Sequence, residues 1–360
     1  MKLIKIIENK IKDGFYYIIR LFLNNKKIDC ISNTSDIKKV LILRYDVLGD
    51  MICTYPAIKY IKSELPDVKI DILASESNSF LIKDDKSINN IYHFNGKILS
   101  NIKYLLKIKK NNYDVIFATY YINLTKNGVL ANILGNSNCI KANVYDKEKR
   151  YLFFNFQSKV AQSKANMFEK MYYLVADSLG NAKNIENIQL SIPRKIESKT
   201  IVQEFLKSKC IEKYIIVNIS SGKENRKWSN EKLIQLINEL QLGDSNLTFI
   251  ITSMSKDKHD ALIIVEKTSN SFYFGESTIF DVIELVDKAE LVITPDTSIV
   301  HICSVVKTKV CVFTFKSIVD EGVWTPYRVP NRLMIAKTNE NMKDIPVDRV
   351  LSSVQELLNE

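Results

Sequence analysis

The chain has 360 residues, 46% of them hydrophobic, which is enough for two domains of ordinary size, each with its own core. Its 51 lysines and arginines outnumber 41 aspartates and glutamates, and the formal charge of +10 suits an anionic partner: nucleic acid, a nucleotide sugar or an acidic membrane surface. Six cysteines form no Cys-x-x-Cys pair and read as free thiols of a reducing compartment; with three histidines and no Asp-x-Asp pair, a metal site built from protein ligands has little support.

Residues 1–35 form a basic opening segment. Lys2, Lys5, Lys10, Lys12, Arg20, Lys26 and Lys27 outnumber Glu8, Asp13 and Asp29, while Leu3, Ile4, Ile7, Ile11, Phe15, Ile18, Ile19 and Phe22 are spaced for one helix face. The apolar runs fall short of the roughly 20 residues a membrane span needs, and no small-residue cleavage site follows. Two arrangements suit the pattern: a helix lying on an anionic leaflet, or an extra helix docked on the protein.

Residues 36–185 read as a first α/β domain. Val40-Leu41-Ile42-Leu43-Arg44 is a short run of mostly branched apolar residues, as expected of a strand covered on both faces. A tight loop, Tyr45-Asp46-Val47-Leu48-Gly49-Asp50, leads into a helix marked by Ile58, Ile61 and Leu65. Open parallel sheets gather ligands where strand ends meet helix N-termini, so Asp50 would face such a crevice; capping the helix is its alternative role. Pro56 implies a kink, or a helix that begins near Thr54. Further strands fall at 69–74, 91–94, 115–118 and 139–140, with helical patterns over 98–109, 129–134 and 164–179, the last stopped by Gly180.

Residues 181–200 are polar and contain Pro193, the expected linker, and residues 186–360 form a second α/β domain. Its strands are expected at 214–217, 247–251, 272–274, 291–293 and 310–313. Helices are expected on Leu233, Leu236, Ile237 and Leu240, over 261–265 and 279–286, after Ser298, and at the C-terminus. Two doubly wound units in series fit this alternation.

Two loops of the second domain carry chemistry. The first is Asn218-Ile219-Ser220-Ser221-Gly222-Lys223-Glu224-Asn225-Arg226-Lys227-Trp228. Small hydroxylated residues and a glycine let backbone amides approach an anion, and Lys223, Arg226 and Lys227 add charge able to hold a diphosphate. Trp228 needs a packing site that would fix the basic residues beside it. The second loop, Thr294-Pro295-Asp296-Thr297-Ser298, can cap the next helix and equally present hydroxyls and amides to a phosphate or sugar; His301 follows one turn on.

In this order, Leu48-Gly49-Asp50, Arg226-Lys227-Trp228, Asp296-Thr297-Ser298-Ile299-Val300-His301 and Trp324-Thr325-Pro326-Tyr327 resemble the lipopolysaccharide heptosyltransferase family, glycosyltransferase family nine. The resemblance implies a GT-B fold, two Rossmann-like domains facing across a cleft with the acceptor on the first and the sugar nucleotide on the second. It also implies inverting transfer without a metal or other cofactor. Carried over by position, Asp50 falls on the catalytic carboxylate, with Gly49 beside it in the acceptor-side loop. Ser220, Ser221, Gly222, Arg226 or Lys227, Asp296, Thr297, Ser298 and His301 fall on the donor side. Asp257 is the nearest candidate for an acidic donor contact between the two loops. Ser298 stands where the family commonly has glycine, Ile219-Ser220 replaces Pro-Gly, and Phe313-Thr314 replaces Phe-Gly; these departures bear on donor identity.

The expected partners are a nucleoside diphosphate sugar, ADP-heptose by resemblance, a glycolipid or oligosaccharide acceptor, and an anionic membrane surface. The expected location is the cytoplasm, peripheral to the inner face of the membrane. No interleaved basic and aromatic motif points to nucleic acid. A sugar-nucleotide epimerase of the same fold and a non-enzymatic basic membrane- or nucleic-acid-binding protein are the competing readings.

Overall fold

The computed structural model describes residues 25–120, 124–145, 152–184, 188–275 and 277–360, together with Gly14, Ile18 and Leu23. The amphipathic helix expected over residues 1–27 thus falls almost wholly outside the described residues. The chain divides into two compact units, Met1–Ser191 and Ile192–Glu360.

In the first unit β1 (Lys39–Arg44), β2 (Lys69–Ala74), β3 (Asn90–His93), β4 (Val115–Ala118), β5 (Ile140–Val144) and β6 (Phe156–Ser158) form one sheet in the order β3-β2-β1-β4-β5-β6. Every pairing is parallel. Val40 to Leu43 and the whole of β4 are buried, which is why these strands show unbroken apolar runs rather than alternation. The direction of winding reverses between β1 and β4. The main helices are α1 (Leu48–Glu64), α2 (Ile102–Lys109), α3 (Leu124–Leu134) and α4 (Met167–Ser178).

Helix α1 decides both points that the sequence left open. Val47 is its N-cap, so Asp50 occupies the first turn and does not cap. The helix is continuous through Thr54, which excludes a start there and leaves Pro56 in its interior. Gly180 ends α4 as expected: at φ +78° it adopts the left-handed conformation, and the Asn181 amide reaches back to the Ala176 carbonyl at 2.8 Å. Upstream, residues 25–31 are tied to this unit. Asn25 donates to Asn132 at 2.9 Å, and the Ile28 and Ile31 amides donate to the carbonyls of Asn155 and Ser178.

The second unit repeats the winding. Strands β7 (Ile215–Asn218), β8 (Phe249–Thr252), β9 (Ser271–Phe274), β10 (Leu291–Pro295), β11 (Lys309–Phe315) and β12 (Asn331–Ala336) take the order β12-β11-β10-β7-β8-β9, all parallel, with the reversal between β7 and β10. Its helices are α5 (Ile196–Ser208), α6 (Asn230–Gly243), α7 (Lys258–Glu266), α8 (Ile279–Lys288), α9 (Ser298–Val306) and α10 (Val347–Asn359).

Three elements differ from the sequence reading, the short β6, which was not expected, among them. Residues 196–200, assigned to a linker, already belong to α5, whose Val202 and Leu206 are buried as the helix packs on α8. Strand β12 was not expected, because an edge strand with one side open needs no continuous apolar run; only Met334 and Ala336 of it are buried. Among the described residues no helix is long and apolar enough to cross a membrane.

Gly128, inside α3, offers a test of the packing. A Cβ placed there would lie 2.5 Å from the Phe153 side chain, which is fully buried. Exposed helical glycines gain about 1 kcal/mol on conversion to alanine. Here Gly128→Ala should instead destabilise the protein by about 1–3 kcal/mol, as over-packing does, seen as a fall in Tm on thermal unfolding.

Candidate functional site

In the first unit the site is built at the carboxyl ends of β1 and β4, on either side of the winding reversal, where open parallel sheets bind ligands. Arg44, the last residue of β1, is 1% exposed. Its Nη1 donates to Asp46 Oδ2 at 2.8 Å and stands 3.7 Å from Asp50 Oδ1. Its Nη2 donates to the Thr119 carbonyl just past β4, with Met171 Sδ at 2.9 Å, and its Cζ lies 5.2 Å from the centre of the Tyr120 ring.

The loop between Arg44 and α1 is pinned from β2. Asn78 Nδ2 donates to the Arg44 and Asp46 carbonyls at 3.0 and 3.2 Å, and Ser75 Oγ donates to the Asp46 carbonyl at 2.6 Å. Gly49 and Asp50 are both buried in the first turn of α1. Burial pushes the Asp50 carboxyl up to about 7, and the like charge of Asp46 adds to the effect. Arg44 and the Val47 amide oppose it without cancelling it. The result is a carboxyl that exchanges its proton near neutrality.

In the second unit the corresponding strand ends are those of β7 and β10. Asn218 Nδ2 donates to Thr294 Oγ1 at 2.9 Å, tying them together at the reversal. Asp257 is the hub of the loop after β7. It accepts from Ser220 Oγ at 2.5 Å and from Lys227 Nζ at 2.6 Å, and Lys227 also pairs with Glu224 at 2.8 Å. Burial alone would raise the Asp257 carboxyl, but the bonds from Lys227 and Ser220 outweigh it and hold it below its usual range. Lys256 Nζ donates to the Ser221 carbonyl at 3.1 Å. Gly222 is exposed.

Arg226 Nη1 pairs with Asp296 Oδ2 at 3.0 Å, so the two loops meet through this ion pair. Burial raises the Asp296 carboxyl and Arg226 pulls it back. Thr297 caps α9, its Oγ1 accepting from the Ile299 amide at 3.4 Å, and Ser298 begins the helix. His301 lies one turn along, 6% exposed, with its ring 6.1 Å from that of Trp324. Burial lowers it to about 4, so its imidazole is neutral at physiological pH. Trp228 has the packing site it needs: it stacks on Phe313 at 4.7 Å, and its Nε1 donates to the Ile345 carbonyl at 3.1 Å.

The residues singled out in the sequence therefore gather into one group per unit. Asp50 and Gly49 lie at the end of β1; Ser220, Arg226, Lys227, Asp296, Thr297 and Ser298 lie at the ends of β7 and β10. Arg44, Asp46, Thr119, Asn218 and Thr294 are added by the structure. Asn218 and Thr294 open the two loops singled out in the sequence and Asp46 lies in the loop before Asp50, none with a role assigned there, and Arg44 left a trace as a charge that closes an otherwise apolar strand.

The unfolded chain gives an aspartate its ordinary value near 4, so at Asp50 the folded state binds its proton more tightly, and stability conferred below that value is lost as pH rises through about 7. Asp50→Asn should therefore stabilise the protein at pH 8 by at most a few kcal/mol, at about 1.4 kcal/mol per unit, seen as a higher Tm, and leave Tm nearly unchanged below pH ~4. Paired melting curves at the two pH values measure the difference.

A family model described as glycosyltransferase family 9 (heptosyltransferase) matches residues 102–348. Lipopolysaccharide heptosyltransferase 3 of Escherichia coli is 22% identical over 339 residues, covering 86% of this chain and 96% of that protein. Among solved structures, a glycosyltransferase family 9 protein from Veillonella parvula superimposes with a TM-score of 0.71 at 16% identity, covering 92% of this chain and 99% of that one. The E. coli heptosyltransferase WaaC with ADP gives 0.68 at 17% identity, covering 88% and 97%.

Proposed function

The chain belongs to glycosyltransferase family 9 and has the GT-B fold of two doubly wound α/β domains, and from that premise we propose that it is an inverting, metal-independent sugar transferase. The donor is a nucleoside diphosphate sugar, ADP-heptose or a related hexose derivative, and the acceptor a lipopolysaccharide or other surface glycan. The E. coli relatives named for heptose transfer to lipopolysaccharide and for an ADP complex support that choice. Membership of a transferase family favours transfer over epimerisation of the sugar nucleotide.

The observation that carries the mechanism is the Asp50 carboxyl held near pH 7 at the end of β1, since a general base works best when its affinity for protons matches the working pH. The acceptor hydroxyl attacks the anomeric carbon from the face opposite the leaving group, and Asp50 takes its proton. The bond between the anomeric carbon and the diphosphate oxygen breaks, and its electron pair leaves with the nucleoside diphosphate. One stereocentre inverts, and no group is left on the enzyme.

The second unit receives the departing charge. Arg226 holds the diphosphate, exchanging its single partner Asp296 for the ligand, while Lys227, committed to both Asp257 and Glu224, braces the loop. The Thr297 and Ser298 hydroxyls and the amides opening α9 complete the grip. Neutral His301 serves as a hydrogen-bonding partner for sugar or phosphate rather than as a cation. An acceptor anchored in lipid places the reaction at the inner face of the cytoplasmic membrane, to which the excess positive charge and the basic opening segment suit the enzyme.

Asp50→Asn should lower transfer by about 10²–10⁴-fold with ADP-induced thermal stabilisation retained. A loss smaller than about tenfold, below the usual contribution of a general base, would remove Asp50 from the mechanism. In the parent enzyme kcat/KM should rise with pH through a midpoint near 7, because only the ionised carboxyl accepts a proton.

Arg226 and Lys227 separate by a different readout. Arg226→Ala should cost about 10²–10³ in kcat, the scale of losing one charge-stabilising donor, with little change in the Tm of the free enzyme. Lys227→Ala should chiefly lower Tm, by leaving the buried Asp257 carboxylate with one partner fewer. The opposite pattern would transfer the phosphate role to Lys227.

A further inference from the structure

The outer face of α2 carries chemistry that the transfer reaction does not use. Residues 95–113 contain Lys97, Lys103, Lys107, Lys109 and Lys110 and no aspartate or glutamate. Leu105 and Ile108 point into the core of the first unit, whereas Leu99, Ile102 and Leu106 are 89%, 36% and 47% exposed. Leu99 sits in the turn leading into α2, and Ile102 and Leu106 follow one turn apart, so the three form a stripe along the outer face. Lys103, Lys107 and Lys110 run beside it at the same spacing, and none of the three has an ion pair among the described residues. A soluble helix normally turns such large apolar residues inward.

We propose that this face is a contact with an anionic lipid bilayer, the leucine and isoleucine side chains entering the boundary between headgroups and acyl chains and the lysines meeting lipid phosphates. That the enzyme works at a membrane belongs to the function proposed above; the surface that touches it is what is added here. Charge complementarity decides the occupant. A second copy of this face would bring lysines against lysines, and the chain's own opening segment, with seven basic against three acidic residues through Asp29, would be repelled in the same way. Nucleic acid would engage the lysines but leave the apolar stripe in water. A bilayer accommodates both at once.

The test uses the full-length chain and sedimentation with vesicles of phosphatidylcholine, with and without about 30% phosphatidylglycerol. The parent should bind the anionic vesicles and lose most binding at high salt. Lys103→Gln/Lys107→Gln/Lys110→Gln should weaken partition by roughly fivefold per lysine, and Leu99→Ser/Ile102→Ser/Leu106→Ser by at least about tenfold. Both should keep the parent's Tm and ADP-induced thermal shift, which report folding and the donor site independently of lipid.

Variants that sediment like the parent would move the contact elsewhere and overturn the proposal, with the transferase reading untouched. A parent that ignores anionic vesicles would overturn it together with the membrane placement. Loss of self-association in the serine variant, without vesicle binding by the parent, would assign the stripe to a dimer instead. Failure of Asp50→Asn to slow transfer would strike the mechanism alone.

Discussion

Burying the Arg44 guanidinium at the end of β1 would cost several kcal/mol if the charge stood alone. Asp46 at 2.8 Å, the Thr119 carbonyl and the nearby Asp50 carboxyl offset that cost, and in doing so they join β1, β4 and the first turn of α1 into one rigid corner. The constraint runs in both directions. With Asp46 already committed to the arginine at close range, Asp50 receives only a 3.7 Å share of the positive charge, too little to offset its own burial and the repulsion from Asp46. One shared cation thus pairs closely with Asp46 and leaves Asp50 balanced between its two protonation states near pH 7.

The second unit solves a related problem differently. Here each cation has a carboxylate of its own, Arg226 pairing with Asp296 across the loops after β7 and β10, and Lys227 with Asp257 in the turn after β8. The pairs are not equivalent. Lys227 also engages Glu224, and Asp257 also holds Ser220, which makes that cluster a fastening of the loop after β7 to the turn after β8, whereas the Arg226 pair spans the loops after β7 and β10 and is the more exposed. Trp228, stacked on Phe313 and bonded to Ile345, fixes the backbone immediately after both cations. A ligand diphosphate would compete with a single carboxylate for Arg226 and with two for Lys227.

Much of the architecture was legible because parallel sheets covered on both faces leave unbroken apolar runs, and ten of the twelve strands left such a trace. The exceptions were β6, only three residues long, and β12 at a sheet edge, where half the surface is open. The choice between the two roles of Asp50 has a similarly local cause. An aspartate before a helix is a strong capping signal, but Val47 and Leu48 extend the helix one turn upstream and move Asp50 inside it, where its side chain can turn toward Arg44. The start of α5 was hidden because its first buried residue is a serine, Ser198, while Ile196 is exposed, so an apolar pattern appears only at Val202 and Leu206.

Chain order by itself determined the alternation of strands and helices, the repetition of one winding in two units, and the positions of the loops that carry Asp50, Arg226 and Asp296, since periodicity and strand-to-helix turns are properties of neighbours in sequence. What each charged group does was decided only by the fold. The protonation of Asp50 depends on its burial and on Arg44, which a carbonyl 75 residues further along holds in place, and the availability of Arg226 depends on a carboxylate 70 residues away. Electrostatic interaction falls with distance through space and strengthens with burial, and neither quantity is written in the spacing of residues along a chain.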